Sequence, residues 1–207
     1  MNSKYILNDK KNNFVKYNFK QLGDIDILEL IDNISKIKKS DWDTDSIRTR
    51  GKTHEKVKTL PIRWKPEVLK QTNLRQIDNT EFYDILNFSK IESQLLSIYK
   101  KNYGDGFIHK IILADMHPEW TIKKHADSGL SLMSVHRTHI PLITNPYVTF
   151  NVNGETQQMI EGEVWEINNA QPHSVNNEGL QWRLHLIVDY YPNKGLSEEF
   201  KEKVRLF

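Results

Sequence analysis

The first half of the chain contains two stretches in which apolar residues recur at helical spacing. Over residues 22–37 an apolar residue returns every three positions, which places these side chains on one side of an amphipathic helix. Residues 78–80 carry a helix-capping signal before a second such stretch, residues 82–99, and Gly104 follows as a stop signal. The pattern predicts two helices, and residues 59–64 between them form an expected short edge strand because they include a proline.

After Gly106 the pattern changes to short apolar or alternating runs separated by turn signals. These runs predict strands over residues 107–116, 120–124, 130–143, 148–152, 155–160, 164–167 and 181–190. Asn153-Gly154, between two of the runs, is the signal of a two-residue hairpin turn. We expect a mainly antiparallel sandwich or barrel with flanking helices, followed by a terminal helix over residues 196–207.

Composition limits the classes of protein that this chain can be. Its 207 residues suit one domain, and 38% hydrophobic with 27% charged residues is ordinary for a soluble globular protein. No apolar run reaches membrane-spanning length, and polar residues interrupt the N-terminus before a signal peptide could form, so we expect a cytoplasmic location. The 29 basic and 27 acidic side chains are scattered, which does not favour nucleic-acid binding.

The sequence contains no cysteine, which excludes disulfides, thiolate catalysis, zinc fingers and iron–sulfur clusters in this chain. Any metal must therefore be bound by nitrogen and oxygen. His125 and Asp127 are two positions apart, so in a strand they would project from one face, and His173 follows a proline-containing turn in the same β half. Two imidazoles and one carboxylate are typical of non-haem Fe(II) oxygenases, which keep open coordination positions for chemistry. A solvated loop is the structural alternative for the triplet alone.

Arg183 lies inside the last apolar run and shares a strand face with His185 and Ile187. The alternation of side chains along the strand does not say which of its two faces is interior. A guanidinium inside a barrel requires a hydrogen-bonded anion, and the remote carboxylate of 2-oxoglutarate would match its planar fork. The alternatives are a surface arginine or one paired with a protein carboxylate.

Two further groups of basic residues are weaker candidates for binding anions. Arg137 and His139 share the face of another predicted strand, and an exposed strand face is their structural alternative. The N-terminal half offers candidates for holding a substrate carboxylate, although a basic exposed loop explains them equally well. These candidates are Arg48, Arg50, His54 and Arg63.

Five segments in order give the chain a resemblance to the aspartyl/asparaginyl β-hydroxylase family. They are residues 125–128 (HADS), 137–142 (RTHIPL), 162–169 (GEVWEINN), 173–177 (HSVNN) and 183–189 (RLHLIVD). The resemblance covers about residues 107–190 and implies a double-stranded β-helix, the jelly-roll or cupin-like barrel. It also implies Fe(II), 2-oxoglutarate and O2 as cofactor and cosubstrates. Residues 1–106 would then support the barrel and the substrate side, and residues 191–207 would form a helical tail.

The resemblance also implies roles for individual residues. His125, Asp127 and His173 would bind Fe(II), Arg183 would hold the distal carboxylate of 2-oxoglutarate, and His139 would assist it. Arg137 would contact the cosubstrate or the substrate.

We expect hydroxylation of an unactivated C–H bond in a small molecule, a free amino acid or amino-acid-like metabolite. Hydroxylation of Asp or Asn in a peptide or protein is the alternative within the same chemistry. A cupin-type protein that binds Zn or Mn without using O2, and a non-catalytic scaffold, are alternatives outside it.

Overall fold

Two antiparallel sheets that face each other form the frame of the molecule. The computed structural model describes residues 17–42, 52–64, 78–127, 132 and 135–193. The strands, in chain order, are β1 (Phe19–Asp24), β2 (Val57–Trp64), β3 (Asp78–Asn79), β4 (Gly106–Met116), β5 (Trp120–His125), β6 (His136–Ile143), β7 (Val148–Val152), β8 (Glu155–Gln157), β9 (Glu163–Ile167), β10 (His173–Asn177) and β11 (Arg183–Pro192). The larger sheet has the order β1-β9-β6-β11-β4-β2-β3, and the smaller has the order β5-β10-β7-β8. The predicted mainly β, jelly-roll fold is confirmed, with two open sheets in place of a closed ring.

The central strand β11 shows how the larger sheet divides the interior. Leu184, Leu186 and Val188 belong to an apolar core shared with the helices. Ile187 belongs to a second core, which also contains Phe150 of β7 in the smaller sheet. Because side chains alternate along a strand, Arg183 and His185 point with Ile187 into the space between the sheets. The structure thus shows which face of β11 carries Arg183, a question that the sequence left open.

The predicted helix over residues 22–37 is only partly correct. Residues 19–24 form β1 and pair with β9, and helix α1 spans Leu28–Ser35. Tertiary pairing with β9 outweighs the local helical spacing around Leu22, which is a known limit of periodicity. Leu22 and Ile37 still pack against the core under the helices. The sequence therefore predicted which side chains face the core, but not the secondary structure around Leu22.

The second predicted helix is two helices, α2 (Glu81–Ile85) and α3 (Ser89–Tyr103). Thr80 caps α2, because its side chain accepts a hydrogen bond from the backbone N–H of Phe82 at 3.3 Å. Asn87 has a φ of 50°, a left-handed conformation that a helix does not continue through. The predicted end is confirmed, since Gly104 follows α3 with a φ of 81°.

The strand predictions are mostly confirmed, with changes at their ends. Along most of β2 only one side is paired by a described strand, as expected for an edge, and its register shifts after Pro61. Asn153 and Gly154 both have positive φ, 51° and 89°, as a two-residue turn of the predicted kind requires. The strand predicted over 155–160 ends at Gln157, and the one predicted over 130–143 is described from His136.

The N-terminal part of the chain contributes strands as well as support. β1 and β2 both belong to the larger sheet, so this sheet is not confined to residues 107–190. The predicted helix over residues 196–207 lies outside the described residues. Within the part of the chain that the structure describes, no helix is long and apolar enough to cross a membrane.

Candidate active site

His125, Asp127 and His173 come together at one end of the smaller sheet. His125 is the last residue of β5, His173 is the first residue of β10, and the two are register partners. One ligand atom from each of the three side chains lies within 4.8 Å of the others. Asp127 follows the end of β5, so it reaches the cluster from a loop and not by the strand alternation that the sequence suggested. The three predicted residues are therefore adjacent, but the carboxylate is positioned by its own contacts.

Both histidines are oriented by backbone carbonyls. Nδ1 of His125 lies 2.7 Å from the carbonyl oxygen of Lys123, and Nδ1 of His173 lies 2.9 Å from that of Gln171. A carbonyl only accepts, so each Nδ1 carries the proton and each Nε2 keeps its lone pair. Burial lowers the pKa of His173, which favours the neutral ring that a metal requires.

The carboxylate of Asp127 is held by two donors on one oxygen. Oδ2 accepts a hydrogen bond from Nη1 of Arg137 at 2.6 Å and another from Nδ2 of Asn169 at 2.9 Å. The backbone carbonyl oxygen of Asn169 also accepts a hydrogen bond from the backbone N–H of Asp127 at 3.0 Å. These two donors fix the orientation of the carboxylate beside the two histidines, as hydrogen bonds to a metal ligand usually do.

Arg137 is itself fixed from behind by Asp189 of β11. Its Nε and Nη2 donate to the two carboxylate oxygens of Asp189, each at 2.8 Å. Burial alone would raise the pKa of Asp189, but the charge and hydrogen bonds of Arg137 hold it below its usual range. Asp189, Arg137 and Asp127 therefore form a buried chain of charged hydrogen bonds that ends at the candidate ligand.

These donors fit Fe(II). Two imidazole nitrogens and one carboxylate oxygen on one side of a metal leave the opposite positions open for further ligands. Both imidazoles have the second hydrogen bond that metal-binding histidines usually have, and so does the carboxylate.

The triad opens into a cavity of about 360 Å³ between the two sheets. Arg183 lines the same cavity and is only 2% exposed. Its Nη2 lies 2.7 Å from Nδ1 of His185, and its Cζ lies 5.9 Å from the ring centre of Phe150. Burial, followed by the adjacent charge of Arg183, lowers the pKa of His185 well below its ordinary value. His185 is therefore neutral, and its Nδ1 accepts the hydrogen bond that orients the guanidinium.

His139 and Arg137 line the cavity as well. The ring of His139 is buried, 5.0 Å from Phe150 and 6.0 Å from His185 between centres, so it lies on the Arg183 side. The structure thus brings together all six residues predicted for the metal and the cosubstrate.

The predicted substrate residues have different outcomes. His54 lines the cavity, and its ring lies 5.0 Å from that of His125. Arg63 does not line it: its guanidinium binds Glu92 through both terminal nitrogens, at 2.6 and 2.9 Å. This ion pair directs Arg63 to α3, which corrects its expected place at the substrate. Arg48 and Arg50 lie outside the described residues.

Sequence reasoning did not mark three residues that the structure places at the cavity or behind the candidate ligand. They are Asn169, Asp189 and Lys110. Asp189 has the parity of Arg183 within an apolar strand, and a buried acid there requires a cation, which was a usable signal. Lys110 has the parity of Ile112 and Ala114 in β4, and it lines the cavity beside Trp64. Asn169 lies in a turn that depends on tertiary contacts for its position, so no local pattern marks it.

Comparison with known proteins agrees with this geometry. The family described as Aspartyl/Asparaginyl beta-hydroxylase matches the chain over residues 19–192. No curated protein matches it significantly in sequence. Among solved structures, an oxidoreductase of the 2OG-Fe(II) oxygenase family from Burkholderia pseudomallei is similar with a TM-score of 0.58 and 14% identity, over 89% of each chain.

Two more solved structures share the fold at low identity. The non-heme alpha ketoglutarate dependent epimerase SnoN from nogalamycin biosynthesis has a TM-score of 0.57 and 11% identity, over 92% of this chain and 84% of that one. A Pseudomonas putida prolyl-4-hydroxylase has a TM-score of 0.51 and 12% identity, over 90% and 99%. The family match over most of the sequence, together with the His-Asp-His cluster, shows that this chain belongs to the aspartyl/asparaginyl β-hydroxylase family and is a 2-oxoglutarate-dependent oxygenase that uses Fe(II), 2-oxoglutarate and O2.

Proposed function

We propose that this enzyme hydroxylates an unactivated C–H bond of a free amino acid or a small amino-acid-like metabolite. The observation that carries the proposal is that the triad and Arg183 line one and the same cavity of about 360 Å³. This volume is in the range of small-molecule sites, and it must hold both the cosubstrate and the substrate. The space between the sheets therefore favours a compact substrate.

The proposal assigns Fe(II) to His125, Asp127 and His173. Bound there, Fe(II) would couple the oxidation of 2-oxoglutarate by O2, which releases succinate and CO2, to the transfer of one oxygen atom to the substrate. Each of the three ligand side chains has a second hydrogen bond that limits its rotation, and these bonds fix where the ligand atoms lie.

Arg183 is assigned to the distal carboxylate of 2-oxoglutarate, with His139 assisting. A buried guanidinium interacts strongly with a carboxylate because little water screens the pair. Phe150, Val175 and Ile187 give the cavity an apolar lining. The ring centre of Phe150 lies 5.9 Å from Cζ of Arg183 and 6.3 Å from the ring centre of His173. A cosubstrate bound at Arg183 would therefore extend toward the metal along an apolar wall.

The proposal gives Arg137 a role other than contact with the cosubstrate or the substrate. Each of its described side-chain hydrogen bonds goes to Asp127 or Asp189. We therefore propose that it orients the carboxylate ligand of the metal.

The test is succinate release from 2-oxoglutarate across a panel of free L-amino acids and short peptides, with product mass analysis. We expect one free amino acid or related metabolite to stimulate succinate release and to gain one oxygen atom. The double variant His125→Ala, Asp127→Ala should lose this activity, whereas His117→Ala, an exposed histidine that does not line the cavity, should keep it. Turnover restricted to peptides would refute the free amino acid as substrate, and equal activity of the double variant and the wild type would refute the metal assignment.

A further inference from the structure

Trp64 reaches the cavity because the pairing of β2 with β4 shifts its register just before this residue. Pro61 pairs in register with Ile112, which belongs to the core between the sheets. Arg63, two positions further on, pairs with Ile111, which belongs to the core under the helices. Uninterrupted alternation would place Arg63 on the face of Pro61 and would turn Trp64 toward the helices. The shift exchanges these two side chains, so that the indole lines the cavity and packs against the core between the sheets.

Trp64 lies at the same level of the larger sheet as the arginine that holds the candidate metal ligand. The ammonium of Lys110 lies 5.2 Å from the ring centre of Trp64. Lys110 pairs in register with Asp189, and Asp189 pairs with Arg137. These four residues therefore form one row across β2, β4, β11 and β6, and Arg137 at the end of the row donates to Asp127. The row places the indole at the metal end of the cavity.

The other end of the cavity holds the cosubstrate anchor. Arg183 pairs with Met116, six residues along β4 from Lys110. Six residues of strand correspond to about 20 Å, which is longer than a five-carbon diacid. A 2-oxoglutarate bound at Arg183 therefore does not extend as far as Trp64. The part of the cavity beside the indole is then occupied by a different molecule, which in the proposed reaction is the substrate.

The side chain of Trp64 is the largest among the described residues that line the cavity. It is half-buried, and its contacts with Lys110 and with the core between the sheets hold the ring in place. A ring held in this way forms a fixed wall with a broad apolar surface. Because a cavity of about 360 Å³ must hold two small molecules, the position of this wall determines how much room the substrate has.

We infer that Trp64 limits the size of the substrate and packs against its apolar side chain. This inference rests on the proposed function and narrows it to amino acids or related metabolites with compact apolar side chains. Trp64 is then a specificity-determining residue, because a polar group of the same shape would lose its hydrogen bonds to water at this wall. A side chain held against the indole also has a fixed orientation, which sets which of its C–H bonds faces the metal.

The variant Trp64→Leu tests this inference, and Trp182→Leu is its matched control. Trp182 also has a lysine over its ring, with the ammonium of Lys58 at 5.0 Å from the ring centre, but it does not line the cavity. The probes are free L-amino acids with apolar side chains, from alanine to tryptophan in order of size, and asparagine, which has nearly the shape of leucine with a polar side chain. Succinate release gives kcat/KM for each probe, and product mass shows hydroxylation.

We expect the wild type to prefer an aliphatic amino acid to phenylalanine, tryptophan and asparagine. Trp64→Leu should change the ratio of kcat/KM for phenylalanine to that for the aliphatic substrate by roughly 10- to 100-fold in favour of phenylalanine, the range for a change in an apolar pocket. Trp64→Phe should change this ratio less, and Trp182→Leu should behave as the wild type. A purely structural role of Trp64 would lower both values together and leave the ratio unchanged. Anaerobic calorimetric titration with 2-oxoglutarate shows whether each variant is folded with an intact cosubstrate site, and if Trp64→Leu is not, the ratio for Trp64→Phe decides.

The possible failures differ in where they are seen. An equal ratio in the Trp64 variants, in Trp182→Leu and in the wild type would overturn the role of Trp64 and leave the proposed function intact. A wild type that prefers asparagine or the aromatic amino acids would do the same. If the wild type itself is stimulated by no free amino acid, the proposed function fails, and the narrowing to compact apolar side chains fails with it.

Discussion

The replacement Asp189→Asn tests the chain of charged hydrogen bonds that holds the candidate metal ligand. Asp189 is 1% exposed, and both of its carboxylate oxygens accept hydrogen bonds from Arg137. Asparagine keeps the shape of the side chain, but it removes the charge and places an NH2 group where one of these acceptors was. Among the described residues, the guanidinium of Arg137 then keeps only Asp127 as a charged partner.

The expected loss of stability is large because the pair is buried. Removing one partner of a buried ion pair costs about 3–5 kcal/mol, and the remaining bond to Asp127 places our expectation near the lower end. The same bond weakens the metal site, because Arg137 now attracts Asp127 without competition from Asp189. Changes in contacts behind a metal ligand lower metal affinity by roughly 10- to 100-fold.

The pH dependence has a defined sign. The folded pKa of Asp189 is depressed by Arg137, so its stabilising effect is present above the unfolded pKa, about 3.9, and is lost as the pH falls through the folded pKa. The difference in unfolding free energy between wild type and Asp189→Asn should therefore be greatest at neutral pH and should shrink below about pH 4.

Urea unfolding measures the stability, and anaerobic titration with Fe(II) or Mn(II) measures the metal affinity. Asp105→Asn is the control, because Asp105 pairs with Lys100 on the surface with both side chains 71% exposed, where an ion pair contributes little. If Asp189→Asn matches Asp105→Asn in both measurements, the buried chain of hydrogen bonds has no role in holding the ligand.

Three further outcomes follow from the same geometry. Arg183→Leu should raise the KM for 2-oxoglutarate by roughly 100-fold or more in steady-state assays, and an unchanged KM would place the anchor elsewhere. Asn169→Ala should weaken metal binding in the same titration by removing the hydrogen bond that its Nδ2 donates to Oδ2 of Asp127, and an affinity equal to wild type would contradict this. Burial lowers the pKa of His109 to about 3, so on acidification only the unfolded chain gains this proton between pH 6.5 and 3. In this pH range the unfolding free energy of His109→Phe should therefore fall by about 1.4 kcal/mol per pH unit less than that of the wild type. Parallel pH profiles of the two proteins would exclude that contribution.

The sequence predicted the β half and the members of the site because both depend on local or strongly patterned signals. Strands with apolar runs and a two-residue turn at Asn153 and Gly154 are specified by neighbouring residues. His125, Asp127 and His173 were found by residue type and spacing, yet their geometry has another origin. Asp127 lies beyond the end of its strand, and hydrogen bonds from Arg137 and Asn169 aim it.

The features that sequence reasoning missed depend on contacts between distant parts of the chain. Leu22 has helical spacing, but the pairing of β1 with β9, about 140 residues away, makes its segment a strand. Arg63 carries the charge expected of a substrate residue, and Glu92 of α3 takes it away from the cavity. Lys110 would be an ordinary surface lysine in an exposed strand. Only the packing of the two sheets places it on the cavity that the triad also lines.

The division of the larger sheet explains how the fold tolerates so many charges in its interior. On the cavity face, burying Arg183 and Asp189 and most of Arg137 opposes folding, because each charge loses water. The opposite face packs against α1, α2 and α3 through the more extensive of the two apolar cores, and there Glu166 and His136 form a buried pair at 2.6 Å. Since the helix face supplies stabilisation without touching the cavity, the cavity face is free to hold charges arranged for ligands. Substitutions that enlarge or shrink side chains under the helices should therefore change stability with little effect on metal affinity, whereas those on the cavity face should change both.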